Sequence, residues 1–429
     1  MKISIEELYS IFLKHNIIST DSRQIVPGCL FFALKGDNFD GNKYTKVALD
    51  AGAAYSVIDE PLYDGNQTLL VNDALEALQL LAKMHRRKFN IPVLAITGSN
   101  GKTTTKELVT AVLSQLYNVT ATKGNLNNHI GVPLTLLGIT DETQIAIIEM
   151  GANHQGEIAQ LCTFAEPTHG LITNIGRAHL GGFGGYEGVI RAKNELYSWL
   201  RNSGGEAFVN ADNLQLMELS KGIKRILYGT QEGSFTQGKA IGSNEMLIID
   251  WITEGKNNLV QTNLIGNYNY ENVMASICVG TYYKVASENI KAAINSYLPS
   301  NSRSQAMKTA NNSIILDAYN ANPTSMQVAI ENFRQVKAMH KMVILGDMLE
   351  LGYESLAEHQ AIVNLVEKSA FDNVILVGPD FKKAADEKFV CFITSDEARE
   401  WLLKQQLQNY TILVKGSRGI KMEKVLDAL

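Results

Sequence analysis

The clearest chemical signal in this chain is one run of ten residues, Thr97-Gly98-Ser99-Asn100-Gly101-Lys102-Thr103-Thr104-Thr105-Lys106. It follows an apolar stretch, Val93-Leu94-Ala95-Ile96, and precedes a helical pattern of Leu108, Val109, Val112 and Leu116. A glycine turn between strand and helix, closed by Lys-Thr, is an arrangement that cradles nucleotide phosphates. The glycines let backbone N–H groups approach phosphate oxygens, the lysine neutralises charge, and the threonine hydroxyl can ligate Mg2+. This assigns Lys102 to the terminal phosphates and Thr103 to the metal. The strict pattern also asks for a glycine five residues before Gly101, where this chain has Ile96. The loop is therefore a compressed variant. A glycine turn without a ligand is the competing reading, and Lys-Thr between strand and helix argues against it.

Three further residues could serve phosphate chemistry. Glu149 ends the apolar run Ile145–Ile148, where a carboxylate can hold Mg2+ or simply face water. His179 lies in Asn174-Ile175-Gly176-Arg177-Ala178-His179-Leu180-Gly181-Gly182, a glycine-flanked loop after another strand. Its neutral imidazole could bind metal, and a plain surface histidine is the alternative. Lys193 shares one helical face with Val189, Leu196 and Leu200. A lysine in such a stripe ordinarily extends its ammonium to water. If desolvated, it loses its proton more readily, and a neutral amine can take up CO2 to form a metal-binding carbamate.

Other polar residues mark binding surfaces. Asn269 and Asn272 stand three apart at a helix start, where amides could read a base edge or cap the helix. Arg303 lies in a turn-rich linker, Leu298-Pro299-Ser300-Asn301-Ser302, from which an arginine could reach a phosphate. Asp317 ends an apolar strand, a common place for a ribose-binding carboxylate. Solvated surface positions remain open for both.

The elements that must position these residues alternate. From about 91 to 300, buried strands at Val93–Ile96, Ile145–Ile148, Gly170–Thr173 and Ala207–Val209 are separated by helical stretches. That alternation predicts a mainly parallel sheet wrapped by helices. A second run after the linker has strands at Ile314–Leu316, Met342–Leu345, Val374–Val377 and Ile412–Val414, with helices near 324–338, 355–369 and 396–406. Each of these strands ends in a polar or glycine-rich turn, so the four turns should define one ligand crevice. Residues 1 to about 90 mix short strands and helices, and His85-Arg86-Arg87-Lys88 followed by Pro92 marks a boundary. The fold class is thus α/β in three domains, 1–90, 91–300 and 301–429.

Bulk composition narrows the partners. The chain has 429 residues, 45% of them hydrophobic, and a net charge of −5. No basic domain stands out, so nucleic acid is a poor partner. The N-terminus has a capping-box pattern, Ser4 with Glu7, in place of the apolar core of a signal peptide. No apolar run is long enough to span a bilayer. The four cysteines are scattered without metal spacing, which fits a reduced cytoplasmic compartment.

Taken together, these motifs resemble the Mur ligase family, ATP-dependent amide-forming enzymes of bacterial cell-wall precursor synthesis. The resemblance rests on the compressed loop, Glu149-Met150-Gly151, the Asn174–His179 loop, Ala192-Lys193-Asn194-Glu195 and the Asn269/Asn272 motif. It runs from Thr20-Asp21-Ser22-Arg23 to Lys415-Gly416-Ser417-Arg418. Two strings, Asp317-Ala318-Tyr319-Asn320-Ala321-Asn322-Pro323 and Leu345-Gly346-Asp347-Met348-Leu349-Glu350-Leu351-Gly352, resemble the member that joins D-alanyl-D-alanine to UDP-N-acetylmuramoyl-tripeptide.

The resemblance implies a small N-terminal domain for the UDP-sugar, a central ATPase domain and a Rossmann-like C-terminal domain for the incoming dipeptide. It places Ser22 and Arg23 near the UDP-sugar, and Gly98, Ser99, Asn100, Gly101, Lys102, Thr103 and Thr104 around ATP and Mg2+. Glu149 is implied as a ligand of one Mg2+, with His179 and a carbamylated Lys193 at a second. Asn269 and Asn272 should face adenine, Arg303 the phosphates and Asp317 the ribose. Asn128 and His129 should line the substrate channel; Asn322, Asp347, Lys415 and Ser417 should meet the dipeptide. A cytoplasmic monomer is expected.

The chain departs from the family pattern at Tyr268 and Asn42, where histidine is usual, and at Ser302, where glycine often precedes the arginine. Competing expectations are a Mur ligase adding a single amino acid, a ligase resembling folylpolyglutamate synthetase, and a nucleotide-gated switch. The third residue of the tripeptide, meso-diaminopimelate or lysine, is left open.

Overall fold

The structure is a computed structural model that describes residues 2–429 except 242–245, 254, 300, 301 and 386. Ser300 and Asn301 of the expected linker thus lie outside the described residues. By packing, the chain forms two compact units. The first comprises Met1–Ala95, Tyr117–Ala152 and Glu157–His169, and the second Ile96–Leu116, Asn153–Gly156 and Gly170–Leu429.

The first unit opens with the helix Ile5–Phe12. Ser4 and Glu7 form the capping box that their spacing predicts. A four-stranded parallel sheet follows, in the order Ile18–Ser19, Leu30–Phe32, Tyr55–Ile58 and Thr68–Leu70. Cys29, Phe31, Ala33, Ala48, Ile58 and Leu70 fill one core cluster against it. The basic cluster expected to mark a boundary is partly interior: His85 and Arg86 close the helix Ala74–Arg86 and are buried. Arg86 can be buried because its guanidinium donates to the carbonyls of Ala165 at 2.9 Å and Phe89 at 2.7 Å. The strands Val119–Ala121 and Ile145–Glu149 pair in parallel, and the second is buried along its whole length.

The second unit holds the phosphate-loop helix, Lys102–Leu113, and the helix Tyr270–Tyr282. The two approach closely at Gly280, where an added Cβ would lie 2.4 Å from Val112. The strands Glu206–Asn210, Lys224–Gly229 and Thr236–Ala240 are parallel neighbours. Ile248–Thr253 and Lys256–Gln261 then continue the sheet antiparallel. Burial alternates along Ile248–Thr253, with Ile249, Trp251 and Thr253 inside, so the strand has one buried face.

The C-terminal sheet has six strands. Gln305–Lys308 is an antiparallel edge strand, followed in order by Ser313–Asp317, Tyr410–Lys415, His340–Gly346, Asn373–Val377 and Val390–Phe392, all parallel. The four strands expected from the sequence are therefore neighbours, and their polar turns share one sheet edge. The helices Pro323–Gln335, Ser355–Glu367 and Ser395–Leu402 lie where the periodicity puts them. A further helix, Pro379–Ala385, is too short to register as a repeat. The fold class is α/β with parallel-dominated sheets.

Candidate nucleotide site and crevice

The phosphate loop is built around two glycines that no other residue could replace without displacement. Gly98 has φ +144°, and a Cβ there would lie 2.0 Å from Thr173 Oγ1; Gly101 has φ +78°, and a Cβ would lie 2.4 Å from Asn272 Oδ1. The loop is pinned from the strand-end segment beside it. Asn100 N–H donates to Asn174 Oδ1 at 3.1 Å, Asn174 Nδ2 donates back to the Asn100 carbonyl at 3.1 Å, and Ser99 Oγ donates to the Gly176 carbonyl at 3.0 Å. Lys102 curls over the loop and donates to the carbonyls of Gly98 at 2.7 Å and Ser99 at 3.2 Å. Its ammonium therefore sits directly above the turn. Thr103 is buried at the helix start and Thr104 half-buried. The first-turn N–H groups of the helix Lys102–Leu113 belong to an anion-binding end.

Asn269 and Asn272 come together as their spacing requires, but their amides already have partners. Asn272 Nδ2 donates to Asn269 Oδ1 at 3.0 Å, Asn269 Nδ2 donates to the Ile265 carbonyl at 2.9 Å, and Thr105 Oγ1 donates to Asn272 Oδ1 at 3.0 Å. Both residues are buried. They brace the phosphate loop from behind. Next to them, Glu271 accepts from Asn210 Nδ2 at 3.2 Å. Burial, followed by the charge of Asp212, pushes its carboxyl up to about 6.

Glu149 is 1% exposed at the end of its strand. Asn127 Nδ2 donates to Oε1 at 2.8 Å, and the Glu149 N–H donates to Thr122 Oγ1 at 2.9 Å. Gly151 makes room for this arrangement: a Cβ there would lie 2.9 Å from Asn127. Sequence reasoning missed Asn127, which lies one residue before the candidate Asn128.

His179 adopts φ +52°, uncommon for a residue with a side chain, and its Nδ1 pairs with Glu350. That hydrogen bond holds the Glu350 carboxyl below its ordinary range, against the opposing effect of burial. Lys193 is 2% exposed on the stripe with Val189, Leu196 and Leu200, all buried, in the helix Tyr186–Ser203. Its Nζ lies 5.2 Å from the centre of the Phe183 ring. The ordinary outcome, an ammonium extended to water, is thus excluded for Lys193.

Arg303 stacks on Tyr319, with its guanidinium carbon 3.6 Å from the ring centre. Ser302 and Ser304 on either side both have positive φ. Ser304 N–H donates to Asp317 Oδ1 at 3.1 Å, and its hydroxyl shares a 2.7 Å hydrogen bond with Tyr268. The departure at Tyr268 therefore has a structural use: it ties the Asn269 motif to the arginine turn.

In the C-terminal crevice, Lys415 is buried and donates to Asp317 Oδ2 at 2.5 Å. Ser417, also buried, accepts from the Leu349 N–H at 2.9 Å. Asp347 accepts the N–H groups of Asp380 at 3.0 Å and Phe381 at 2.8 Å, which makes it a brace for the start of the helix Pro379–Ala385. Gly378, at φ +126°, lets the chain pass close to that carboxylate. Asn322 caps the helix Pro323–Gln335 through Ser325 and also donates to Asn100 Oδ1 at 2.7 Å. That contact links the crevice to the phosphate loop.

In the first unit, Arg23 grips Asp21 with two hydrogen bonds, at 2.9 and 2.7 Å, and is otherwise exposed. Ser22 is half-buried. Asn128 accepts the N–H groups of Ile130 and Gly131 at 3.1 and 2.9 Å, and both Asn128 and His129 are exposed. Asn42, the other departure, is wholly buried and bonds to Asp40 and Asp59, each at 2.8 Å. It braces the N-terminal sheet.

Three family models match successive parts of the chain: the Mur ligase family catalytic domain at residues 14–86, the Mur ligase middle domain at 96–280, and the Mur ligase glutamate ligase domain at 302–418. The UDP-N-acetylmuramoyl-tripeptide--D-alanyl-D-alanine ligase of Escherichia coli is 35% identical, covering 99% of this chain and 95% of that protein. The crystal structure of MurF from Acinetobacter baumannii superposes with a TM-score of 0.86 at 34% identity, over 96% of this chain and 92% of the other. The MurF ligase of Thermotoga maritima, solved in complex with ADP, gives 0.85 at 25% identity over 96% of each.

Proposed function

The chain belongs to the Mur ligase family, and from that premise we propose that it joins D-alanyl-D-alanine to UDP-N-acetylmuramoyl-tripeptide at the expense of ATP. The observation that carries this reading is its similarity, along nearly the whole chain, to ligases bearing that name. The products are UDP-N-acetylmuramoyl-pentapeptide, ADP and phosphate, in peptidoglycan precursor synthesis.

The reaction follows from a loop that holds the γ-phosphate beside a carboxylate substrate. The terminal carboxylate of the tripeptide attacks the γ-phosphorus, the bond to ADP breaks, and an acyl phosphate forms. The dipeptide amine then attacks the acyl carbon, loses a proton and expels phosphate. Lys102 and the loop N–H groups meet the charge that builds on the transferred phosphoryl group. Arg303, released from Tyr319, adds a second cation. Shielding from water matters because an acyl phosphate hydrolyses.

Thr103 and Glu149 each offer an oxygen donor of the kind Mg2+ takes, and the ion would neutralise charge on the phosphates. His179 and Lys193 are assigned to a second ion, with Lys193 as its carbamate. Lys193 is buried in the helix Tyr186–Ser203, and a carbamate there would add an anionic oxygen donor for the ion. Lys193→Ala should lose activity and regain part of it with an added short carboxylic acid.

By this reading residues 1–90 bind the UDP-sugar with Ser22 and Arg23, 91–300 bind ATP, and 301–429 present the dipeptide. Asn128 and His129 line the tripeptide's path. Asp317 serves the ribose, Asn269 and Asn272 lie toward the adenine, and Asn322, Asp347, Lys415 and Ser417 shape the dipeptide site. Among the described residues no helix is long and apolar enough to cross a membrane. We read the enzyme as a cytoplasmic monomer.

Purified protein with ATP, the UDP-tripeptide and the dipeptide should release ADP and form pentapeptide. ADP release that ignores the dipeptide would sink the assignment and favour a nucleotide-gated switch. Running the assay with both UDP-tripeptides decides between meso-diaminopimelate and lysine.

A further inference from the structure

We propose that Glu350 is a positioning residue for His179, so that the histidine is presented to a metal ion only when the segment 349–358 is docked on the loop 174–183. This rests on the reading of His179 as a Mg2+ ligand. The geometry supplies independent support.

The two residues face each other from separate elements, and both have unusual backbones: His179 at φ +52° and Glu350 at φ +67°. Side-chain-bearing residues avoid this left-handed region, and strain of this kind persists where surrounding contacts fix it. Here the contacts are visible. The Gly181 N–H reaches the Glu350 carbonyl at 3.4 Å. A Cβ on Gly181 would lie 3.3 Å from the Gly352 nitrogen, so two glycines let the segments touch. The Arg177 N–H donates to Thr324 Oγ1 at 2.9 Å. The Arg177 guanidinium pairs with Glu354 and, through Nε, with Glu358 at 2.7 Å. Arg177 thus clasps two carboxylates about one helical turn apart, and Glu350 is set beside the imidazole by the same docking.

The consequence for chemistry is specific. A carboxylate on Nδ1 fixes the tautomer with the proton on Nδ1, which leaves the Nε2 lone pair to bind metal and orients the ring. Removing such an outer partner commonly weakens metal binding by about 10- to 100-fold.

The test titrates Mn2+, in place of Mg2+, into the full-length protein with a non-hydrolysable ATP analogue, and reads free Mn2+ by electron paramagnetic resonance. Wild type should bind two ions. Glu350→Ala should weaken one of them about 10- to 100-fold and leave the thermal midpoint unchanged. Glu350→Gln, whose amide oxygen can still accept the Nδ1 proton, should recover part of that loss. Wild-type affinity for both ions in Glu350→Ala would overturn the proposal, as would a fall in thermal midpoint with ion binding intact. Pentapeptide synthesis by the same wild-type preparation tests the parent reading separately, because ion binding is measured without turnover.

Discussion

The phosphate loop and the C-terminal crevice are both dense in polar groups, but they use them differently. The loop is shaped by side chains that are missing: at Gly98 and Gly101 a Cβ would collide with Thr173 and Asn272. The crevice is shaped by side chains that are present, with Lys415 held on Asp317, Ser417 accepting the Leu349 N–H, and Asp347 accepting N–H groups at a helix start. A site built from backbone leaves a compact sequence pattern, whereas a site braced by side chains does not separate its ligands from its supports.

The largest test of that contrast is Asp317→Asn. Lys415 is 2% exposed and would lose its carboxylate partner. Breaking such a pair costs about 3–5 kcal/mol, read as a fall in the denaturation midpoint. Joining it to Lys415→Met should restore most of the loss. An undiminished midpoint in the single variant would show that the pair is available to a ligand instead.

On the loop side, Gly101→Ala forces a side chain into φ +78° against Asn272. The strain is about 1–3 kcal/mol, which should weaken ADP binding roughly 10- to 100-fold by calorimetry. Unchanged affinity would separate the loop from the nucleotide.

Glu271 lies behind the loop and adds a pH signature. Its carboxyl stands at about 6, raised from 4.5 by burial and then by Asp212. Between these values the folded state holds a proton that the unfolded state has released. Stability from this group is therefore fully present below pH 4.5 and is lost as pH rises through 6. The difference is about 2 kcal/mol, and Glu271→Gln should remove that part of the pH dependence of urea unfolding. The smallest expected effect is from Asn322→Ala, about 1 kcal/mol for a lost helix cap, with a further change in ADP affinity only if the contact to Asn100 steadies the loop.

Much of the fold was legible because it rests on period. The fully buried runs Val93–Thr97 and Ile145–Glu149 and the helix stripe through Lys193 are patterns of apolar residues. The antiparallel strands Ile248–Thr253 and Lys256–Gln261 were not, because the first buries only alternate residues and the second only Val260, so their outward residues mix with turn signals. In the site, the loop stands out by its own pattern, whereas Glu149 and Lys193 gain a metal role only beside that loop and through the family resemblance. Asn127, Tyr319 and Glu350 could not be picked out, since their importance lies in which neighbour they touch. Tyr319 and Glu350 do fall within the two long strings that the sequence singles out, and that is the signal that could have found them. Asn272 stands between the two cases: its spacing suits reading a base edge or capping the helix, and in the structure its side chain bonds to Thr105 and Asn269.

The central claim is that the loop's phosphate is spent on the tripeptide carboxylate. It is tested most directly with UDP-tripeptide labelled with 18O in both oxygens of its terminal carboxylate, incubated with ATP and D-alanyl-D-alanine. Each phosphate released with pentapeptide should carry one 18O, transferred when the acyl phosphate collapses. Unlabelled phosphate alongside pentapeptide would contradict the account.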